Sequence, residues 1–91
     1  MTMKFALGRL MATPGALQAC QEAGEPEMKY LSRHATGDWG ELDDHDHKAN
    51  DQALRDGTRI LSAYTLPTKV RIWIITEADR SATTILLPEE Y

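Results

Sequence analysis

The chain has 91 residues, of which 42% are hydrophobic and 26% are charged, and its formal net charge at pH 7 is −4. These proportions are typical of a globular protein with one modest core, and they argue against a disordered chain. No apolar run approaches the roughly 20 residues of a membrane span, and the acidic balance argues against a broad binding surface for duplex nucleic acid.

The N-terminal part of the chain is predicted to form a short strand and a first helix. Apolar side chains occupy every second position of residues 3–7, a spacing that indicates a strand able to join a sheet. Thr13 offers an N-cap, and Pro14 stands at a first helical position, where proline is tolerated. Gly24 is a natural C-terminal stop, so we expect the helix to lie between these residues.

Two further helices are predicted in the middle of the chain. The second opens at Pro26 and ends at Gly37, with apolar and aromatic residues three and four positions apart between them. The third runs from about Asp44 to Asp56, with Asp43 or Asp44 as its cap and Gly57 as its stop. Its apolar residues are few, so most of it should be solvated. Because the sequence shows no repeat, low-complexity stretch or linker, we expect a single domain over residues 1–91.

Three strands are predicted in succession in the C-terminal third, over Arg59–Thr65, Val70–Thr76 and Ala82–Leu87. Pro67 breaks the first junction, and residues 78–80 break the second. Adjacent strands joined by short loops form an antiparallel meander. The predicted fold class is therefore α+β, with three helices packed on one face of an antiparallel meander sheet of three to four strands.

The register of the meander follows from sorting the aliphatic side chains onto one face. With Thr76 opposite Ser81 and Thr65 opposite Val70, one face becomes almost wholly aliphatic, whereas a slip of one residue in the second hairpin mixes the faces. The aliphatic face then holds Leu61, Ala63, Val70, Ile72, Ile74, Ile85 and Leu87. We expect the last two strands to bury this face against Leu17, Met28 and Leu31.

The opposite face of the meander mixes aromatic, cationic and hydroxyl side chains with aliphatic ones. It is either a second packing layer, a self-association surface or a surface that binds another molecule. Its predicted members are Ile60, Ser62, Tyr64, Arg71, Trp73, Ile75, Thr84 and Leu86.

The run at residues 43–47 has the composition of a metal site but not its spacing. His45 and His47 are two positions apart on a helix, so they point in different directions. The sequence offers no second ligand cluster to complete a tetrahedral shell, and acidic residues are favoured at a helix start in any case. We therefore expect a capped, solvated helix start with no specific metal ion, and we expect no cofactor.

The run at residues 32–40 leaves a helix through a Gly-Asp-Trp-Gly turn. A histidine at a helix C-terminus, here His34, is favoured in its protonated form. Asp38 can pair with His34 or with Arg33, and Trp39 should fold back over the edge of the core. Such a turn is either a structural lock or a functional site.

Metal-independent phosphodiester cleavage is the chemistry that these residues could supply together. A histidine would act as the general acid or base, while a cation and hydroxyl donors would stabilise the charged phosphorane. The predicted catalytic residues are His34, Tyr64, Arg71 and Thr84, and the predicted binding residues are Arg33, Asp38, Trp39 and Trp73.

Two resemblances accompany this interpretation. In the runs SRHxxGDWG, RILSxY and WIITEADRSxTTILLPEEY, the chain resembles a family of small, largely uncharacterised bacterial proteins from plasmids and integrative elements. A helix ending in Arg-His, followed by a meander whose last strand carries Thr-Thr before a proline, is also similar to the barnase/RelE-like superfamily of small ribonucleases and toxins. That similarity implies metal-free RNA cleavage, with His34 as acid or base, Arg71 as phosphate ligand, and Tyr64 and Thr84 as hydroxyl donors.

The acidic charge favours a different class of function, a non-enzymatic binding protein of mobile elements. Asp residues along the third helix could present phosphate-like charge to a basic host surface, as an anti-restriction or anti-CRISPR inhibitor would. A dimeric accessory protein is a third interpretation. The expected partners are accordingly RNA or a host protein, with a homodimer as a further option and no membrane.

The single cysteine bears on the expected compartment. Cys20 excludes an internal disulfide and fits a reducing cytoplasm. The first residues lack the long apolar core of a signal peptide, so we expect a cytoplasmic location.

Overall fold

The computed structural model describes residues 2–91, which form three α-helices and one four-stranded sheet of order β1-β4-β3-β2. The α+β class is thereby confirmed. The sheet is mixed, because β1 pairs with β4 in parallel while the other two pairs are antiparallel. The prediction of a purely antiparallel sheet was wrong, because an alternating pattern indicates which face a strand buries but not the direction in which it runs. The elements are β1 Arg9–Ala12, α1 Pro14–Ala23, α2 Glu27–Ala35, α3 Asp44–Asp56, β2 Ile60–Thr65, β3 Arg71–Thr76 and β4 Ala82–Leu86, followed by a 3₁₀ turn over Pro88–Glu90.

Helices α1 and α3 begin and end where local sequence signals placed them, whereas α2 begins after Pro26 as predicted but ends at Ala35, before the predicted stop at Gly37. Thr13 and Asp43 accept backbone N–H bonds at the starts of α1 and α3. Gly24 and Gly57 end those helices with φ of 68° and 71°, in the left-handed region that glycine adopts without strain. Among the helices of residues 2–91, none is long and apolar enough to cross a membrane.

The first strand lies further along the chain than predicted. Residues 3–7 are not a strand, and β1 begins only at Arg9. Gly8 causes the displacement, since it has a φ of 67° and lies against the backbone of Arg80 and Ser81. A Cβ at position 8 would overlap those backbone atoms, so the chain turns there on a glycine and enters the sheet afterwards.

The second hairpin has the predicted faces but not the predicted pairs. Thr76 lies opposite Thr83 rather than Ser81, because the turn uses residues 78–81, with Arg80 at a φ of 62°. A shift of two residues leaves each side chain on its original face. The predicted partition of β3 and β4 between the two faces therefore holds.

The first hairpin is displaced by one residue, and this exchanges the faces of β2. Thr65 lies opposite Arg71 rather than Val70. The reason is Lys69, whose φ of 75° closes a tight turn in which the Leu66 N–H donates to the Val70 carbonyl. The side of β2 that faces the helices therefore holds Ile60, Ser62 and Tyr64. The opposite side of the sheet, which we call the outer face, holds Leu61, Ala63 and Thr65 instead.

The main core lies between α1, α2 and the helix-facing side of the sheet. Its buried members include Ala16, Cys20, Tyr30, Leu31, Tyr64, Leu66, Ile72, Ile74 and Ile85. Three of the predicted core residues lie outside it, since Val70, Leu17 and Met28 are 39%, 45% and 56% exposed. Val70 lies beside the displaced turn, and the two helical residues point away from the sheet.

The third helix closes the edge of β2 instead of adding to that core. The Asn50 side chain donates to the Leu61 carbonyl at 2.6 Å and accepts from the Leu61 N–H at 3.1 Å. Next along the strand, Ala63 exchanges backbone bonds with Trp39 and Glu41. The outward backbone groups of Leu61 and Ala63 are therefore satisfied by a side-chain amide and by a short parallel segment.

Candidate functional site

His34 is fully buried, although it stands in the last turn of α2. Its ring makes edge-to-face contacts with Phe5 and Trp39, at centroid distances of 5.2 and 5.9 Å. Nδ1 lies 2.5 Å from the Ser62 hydroxyl, and Nε2 lies 2.8 Å from the Thr76 hydroxyl. Both nitrogens therefore bond to strand hydroxyls on the helix-facing side of the sheet, and neither is open to solvent.

The hydrogen bonds around His34 fix its proton on Nε2. Thr83 donates its hydroxyl to the Leu7 carbonyl at 2.7 Å, since a carbonyl only accepts. Thr83 must then accept from Thr76 at 2.7 Å, which leaves the Thr76 oxygen to accept from the imidazole. The geometry therefore assigns an Nε2–H tautomer whose Nδ1 accepts the hydroxyl hydrogen of Ser62.

Burial lowers the pKa of His34 from 6.5 to about 4. The cause is desolvation, which penalises the charged imidazolium. The prediction that the helix C-terminus would favour the protonated form was wrong, because the cost of removing the charge from water exceeds the attraction of the helix dipole. At neutral pH the ring is neutral and is a member of the core.

The Gly-Asp-Trp-Gly turn is held in place by side chains of Arg33, Asp38 and Tyr64. The Tyr64 hydroxyl donates to the Asp38 carbonyl at 2.6 Å, and burial raises the pKa of that phenol to about 12. Arg33 donates to the Asp38 carboxylate at 2.7 and 3.3 Å and lies over the Tyr64 ring at 4.6 Å. Asp38 therefore pairs with Arg33 and not with His34, which is the arrangement of a structural lock.

Trp39 also has a structural role, as part of a smaller core cluster. It is buried with Ala53 and Ile60, and its indole N–H donates to the Asp51 carboxylate at 3.2 Å. The ring therefore covers the edge of the core, where the sequence predicted it.

The remaining predicted site residues lie on the other side of the sheet. Arg71, Trp73 and Thr84 share the outer face, and the Arg71 guanidinium donates to the Glu41 carbonyl at 3.0 Å. His34 and Tyr64 are on the helix-facing side. The structure therefore does not bring the predicted acid–base, cation and hydroxyl groups to one surface.

An open groove runs along the outer face where it meets the start of α3. Its volume is about 480 Å³. The floor is formed by half-buried Leu61 and Trp73, and exposed carboxylates stand on the wall. Hydrogen bonding by Thr65 lowers the pKa of the Glu41 carboxyl, so this carboxylate is charged at neutral pH. The full lining consists of Glu41, Leu42, Asp43, Asp46, Leu61, Arg71, Trp73 and Pro88.

The polar groups that organise the interior were missed by sequence reasoning. Ser62, Thr76 and Thr83 stand at inward positions of three neighbouring strands, and Asn50 stands on the buried side of α3. Hydroxyls at alternate positions of strands that are otherwise aliphatic were the available signal, because such groups require partners once buried. In residues 2–91, every buried side-chain nitrogen and oxygen has a hydrogen-bond partner.

Comparison with protein-family models, curated proteins and solved structures found no match for this chain. The two resemblances suggested by its sequence therefore stay predictions. Over the described residues 2–91, no three His, Cys, Asp or Glu side chains come together as a metal site.

Proposed function

We propose that the protein is a non-enzymatic binding module whose outer groove receives a basic segment of a partner protein. The observation that carries the proposal is the composition of the groove. The exposed carboxylates of Glu41, Asp43 and Asp46 stand beside the half-buried indole of Trp73. An aromatic face next to carboxylates is the combination that binds a guanidinium or ammonium group.

The charge of the whole chain supports the same class of partner. A formal net charge of −4 attracts basic surfaces and repels nucleic acid phosphates. The cation already in the groove, Arg71, donates to the Glu41 carbonyl and attracts the Glu41 carboxylate. Within residues 2–91 it forms no ion pair with Asp43 or Asp46. The groove therefore offers more negative than positive charge to an incoming chain.

The buried state of His34 also supports a binding role over catalysis. A general acid or base must reach the proton that it transfers, and both ring nitrogens of His34 are bonded to buried hydroxyls. The groove lies on the opposite face of the sheet, without a histidine among its lining residues. Recognition by charge and aromatic contact requires no such group.

The test measures binding of a fluorescein-labelled, arginine-rich peptide of about 12 residues by fluorescence anisotropy at two salt concentrations. The double variant Asp43→Asn/Asp46→Asn should bind about 10-fold more weakly, since each exposed ion pair contributes about 0.2–1 kcal/mol. Asparagine is as good an N-cap as aspartate, so α3 should stay folded. Trp73→Leu should weaken binding by a further few-fold through loss of the cation–π contact.

The matched control is Glu22→Gln/Glu27→Gln, which removes the same charge from the side that carries α1 and α2. This control should leave the affinity within about twofold of the native value. An equal loss in both double variants would show binding to net charge alone and would contradict the proposal. Cleavage of labelled RNA by the native chain would contradict it as well.

A further inference from the structure

The strand β1 ends the sheet with an open side. The backbone N–H groups of Arg9 and Thr13 donate to carbonyls of β4 and of the turn before it. Because backbone groups alternate in direction along a strand, those of Leu10 and Ala12 point away from the sheet. In the part of the chain that the structure describes, no strand pairs with that side of β1.

The two edge strands of the sheet differ in whether their outward backbone groups have hydrogen-bond partners. The edge at β2 is covered, since Asn50 and the segment around Gly40 occupy the outward backbone groups of Leu61 and Ala63. The edge at β1 exposes apolar side chains instead, with Leu10 at 47% and Met11 at 44%. An open edge with exposed apolar residues is a template for pairing with another chain.

We propose that this edge pairs with the same edge of a second copy, antiparallel about a twofold axis through Met11, to form a continuous eight-stranded sheet. In this register Leu10 and Ala12 of one copy lie opposite Ala12 and Leu10 of the other. Each of these pairs exchanges two backbone hydrogen bonds, so all the outward groups of β1 are satisfied. The two Met11 side chains meet on the axis at the outer face.

Neighbouring registers satisfy fewer of the outward groups. A shift in one direction places Leu10 opposite Pro14, which has no N–H and begins α1. A shift in the other direction places Ala12 opposite Gly8, whose φ of 67° is not that of a strand. The register centred on Met11 is therefore the one that the backbone favours.

Charge at the two ends of β1 selects a second copy as the occupant. Arg9 is exposed, and within residues 2–91 it has no ion pair. In the proposed register it lies beside Thr13 of the second copy. The hydroxyl of Thr13 donates to the Glu90 carboxylate at 2.5 Å, and that bond holds the pKa of Glu90 below its ordinary value. The twofold axis therefore places the positive end of each β1 beside the negative end of the other, which an unrelated strand would not reproduce.

The first test is a disulfide at the axis. A non-hydrogen-bonded antiparallel pair has Cα atoms about 4.5 Å apart, within the range of about 4.4–6.8 Å that a disulfide spans. Met11→Cys should therefore form a covalent dimer under mild oxidation. Val70→Cys, at an exposed apolar position of another turn, is the matched control and should stay monomeric. The native Cys20 is fully buried, so the unmodified chain should not cross-link either.

The second test is sedimentation equilibrium of the native chain from about 10 µM to about 1 mM, the range of a small interface. The native chain should show a monomer–dimer equilibrium, and Arg9→Glu should weaken it about 10-fold or more at low salt, because two ion pairs become repulsions. Lys48→Glu changes the net charge equally on exposed α3 and should leave the equilibrium within about twofold. A native chain that stays monomeric throughout, or equal cross-linking of the two cysteine variants, would overturn the proposal.

Discussion

Acidification from pH 7.5 to pH 5 should destabilise the protein through protonation of His34. The pKa of its imidazole is about 4 in the folded chain, against the ordinary value of 6.5 that the ring regains on unfolding. Between those values the unfolded chain binds a proton that the folded chain does not, so the free energy of unfolding falls as the pH falls. At about 1.4 kcal/mol for each pH unit in that window, the loss is about 2 kcal/mol at pH 5 and about 3 kcal/mol near pH 4.

The assay is urea denaturation followed by tryptophan fluorescence at several pH values. Carboxyl groups with lowered pKa values, such as those of Asp38 and Glu41, destabilise in the same direction but at lower pH. The interval from pH 7.5 to pH 5 therefore isolates the histidine. His34→Gln should be less stable at pH 7.5 but should lose the slope of about 2 kcal/mol over this interval. The control His45→Gln/His47→Gln should keep it.

Nitrogen chemical shifts from NMR provide an independent readout of the same prediction. At pH 5.5 the His34 ring should be neutral, with its hydrogen on Nε2 and an unprotonated Nδ1, because Thr76 can only accept from it. A protonated ring at pH 5.5, or a His34→Gln variant whose stability falls with pH as steeply as that of the native chain, would refute the assignment of His34 to a buried neutral network.

Two further predictions concern the strand β2 and its turn. Asn50→Ala should lower the free energy of unfolding by about 2–4 kcal/mol, because it leaves the N–H and carbonyl of Leu61 without partners. The control Gln52→Ala, at an exposed position of the same helix, should change that free energy by less than about 0.5 kcal/mol. An equal effect of the two substitutions would contradict the role of Asn50 in covering the edge of β2. Lys69→Gly should raise the free energy of unfolding by about 1 kcal/mol, since glycine adopts a positive φ without strain. A lower free energy of unfolding in chemical denaturation would contradict that account.

The helices were predictable from sequence because their limits are set locally. Thr13, Gly24, Asp43 and Gly57 each act on their own turn of backbone, so each can be identified without knowledge of the rest of the fold. The faces of β3 and β4 were predictable for a similar reason, since a strongly alternating apolar pattern indicates which side is buried.

The direction and limits of β1 were not predictable from pattern. A run of alternating apolar residues at positions 3–7 satisfies the rule for a strand, yet Gly8 must turn against the backbone of residues 80 and 81 before pairing begins. That requirement arises from a contact distant in sequence. The burial of His34 has the same origin, because its two hydroxyl partners lie 28 and 42 residues along the chain.

The register of β2 shows how polar groups can override a count of aliphatic ones. Sorting by hydrophobicity favours Leu61 and Ala63 on the inner face, but that register would turn Ser62 outward and leave Nδ1 of His34 buried without a partner. An unpaired buried acceptor costs about 1–3 kcal/mol, and the outer face can still bury Ala63 beside Trp73. The observed register instead places the hydroxyls of Ser62 and Thr76 on the two sides of one imidazole. The bond from Ser62 is available only when Ser62 is on the inner face, so the buried imidazole favours the observed pairing of β2 with β3 over the register that is slipped by one residue.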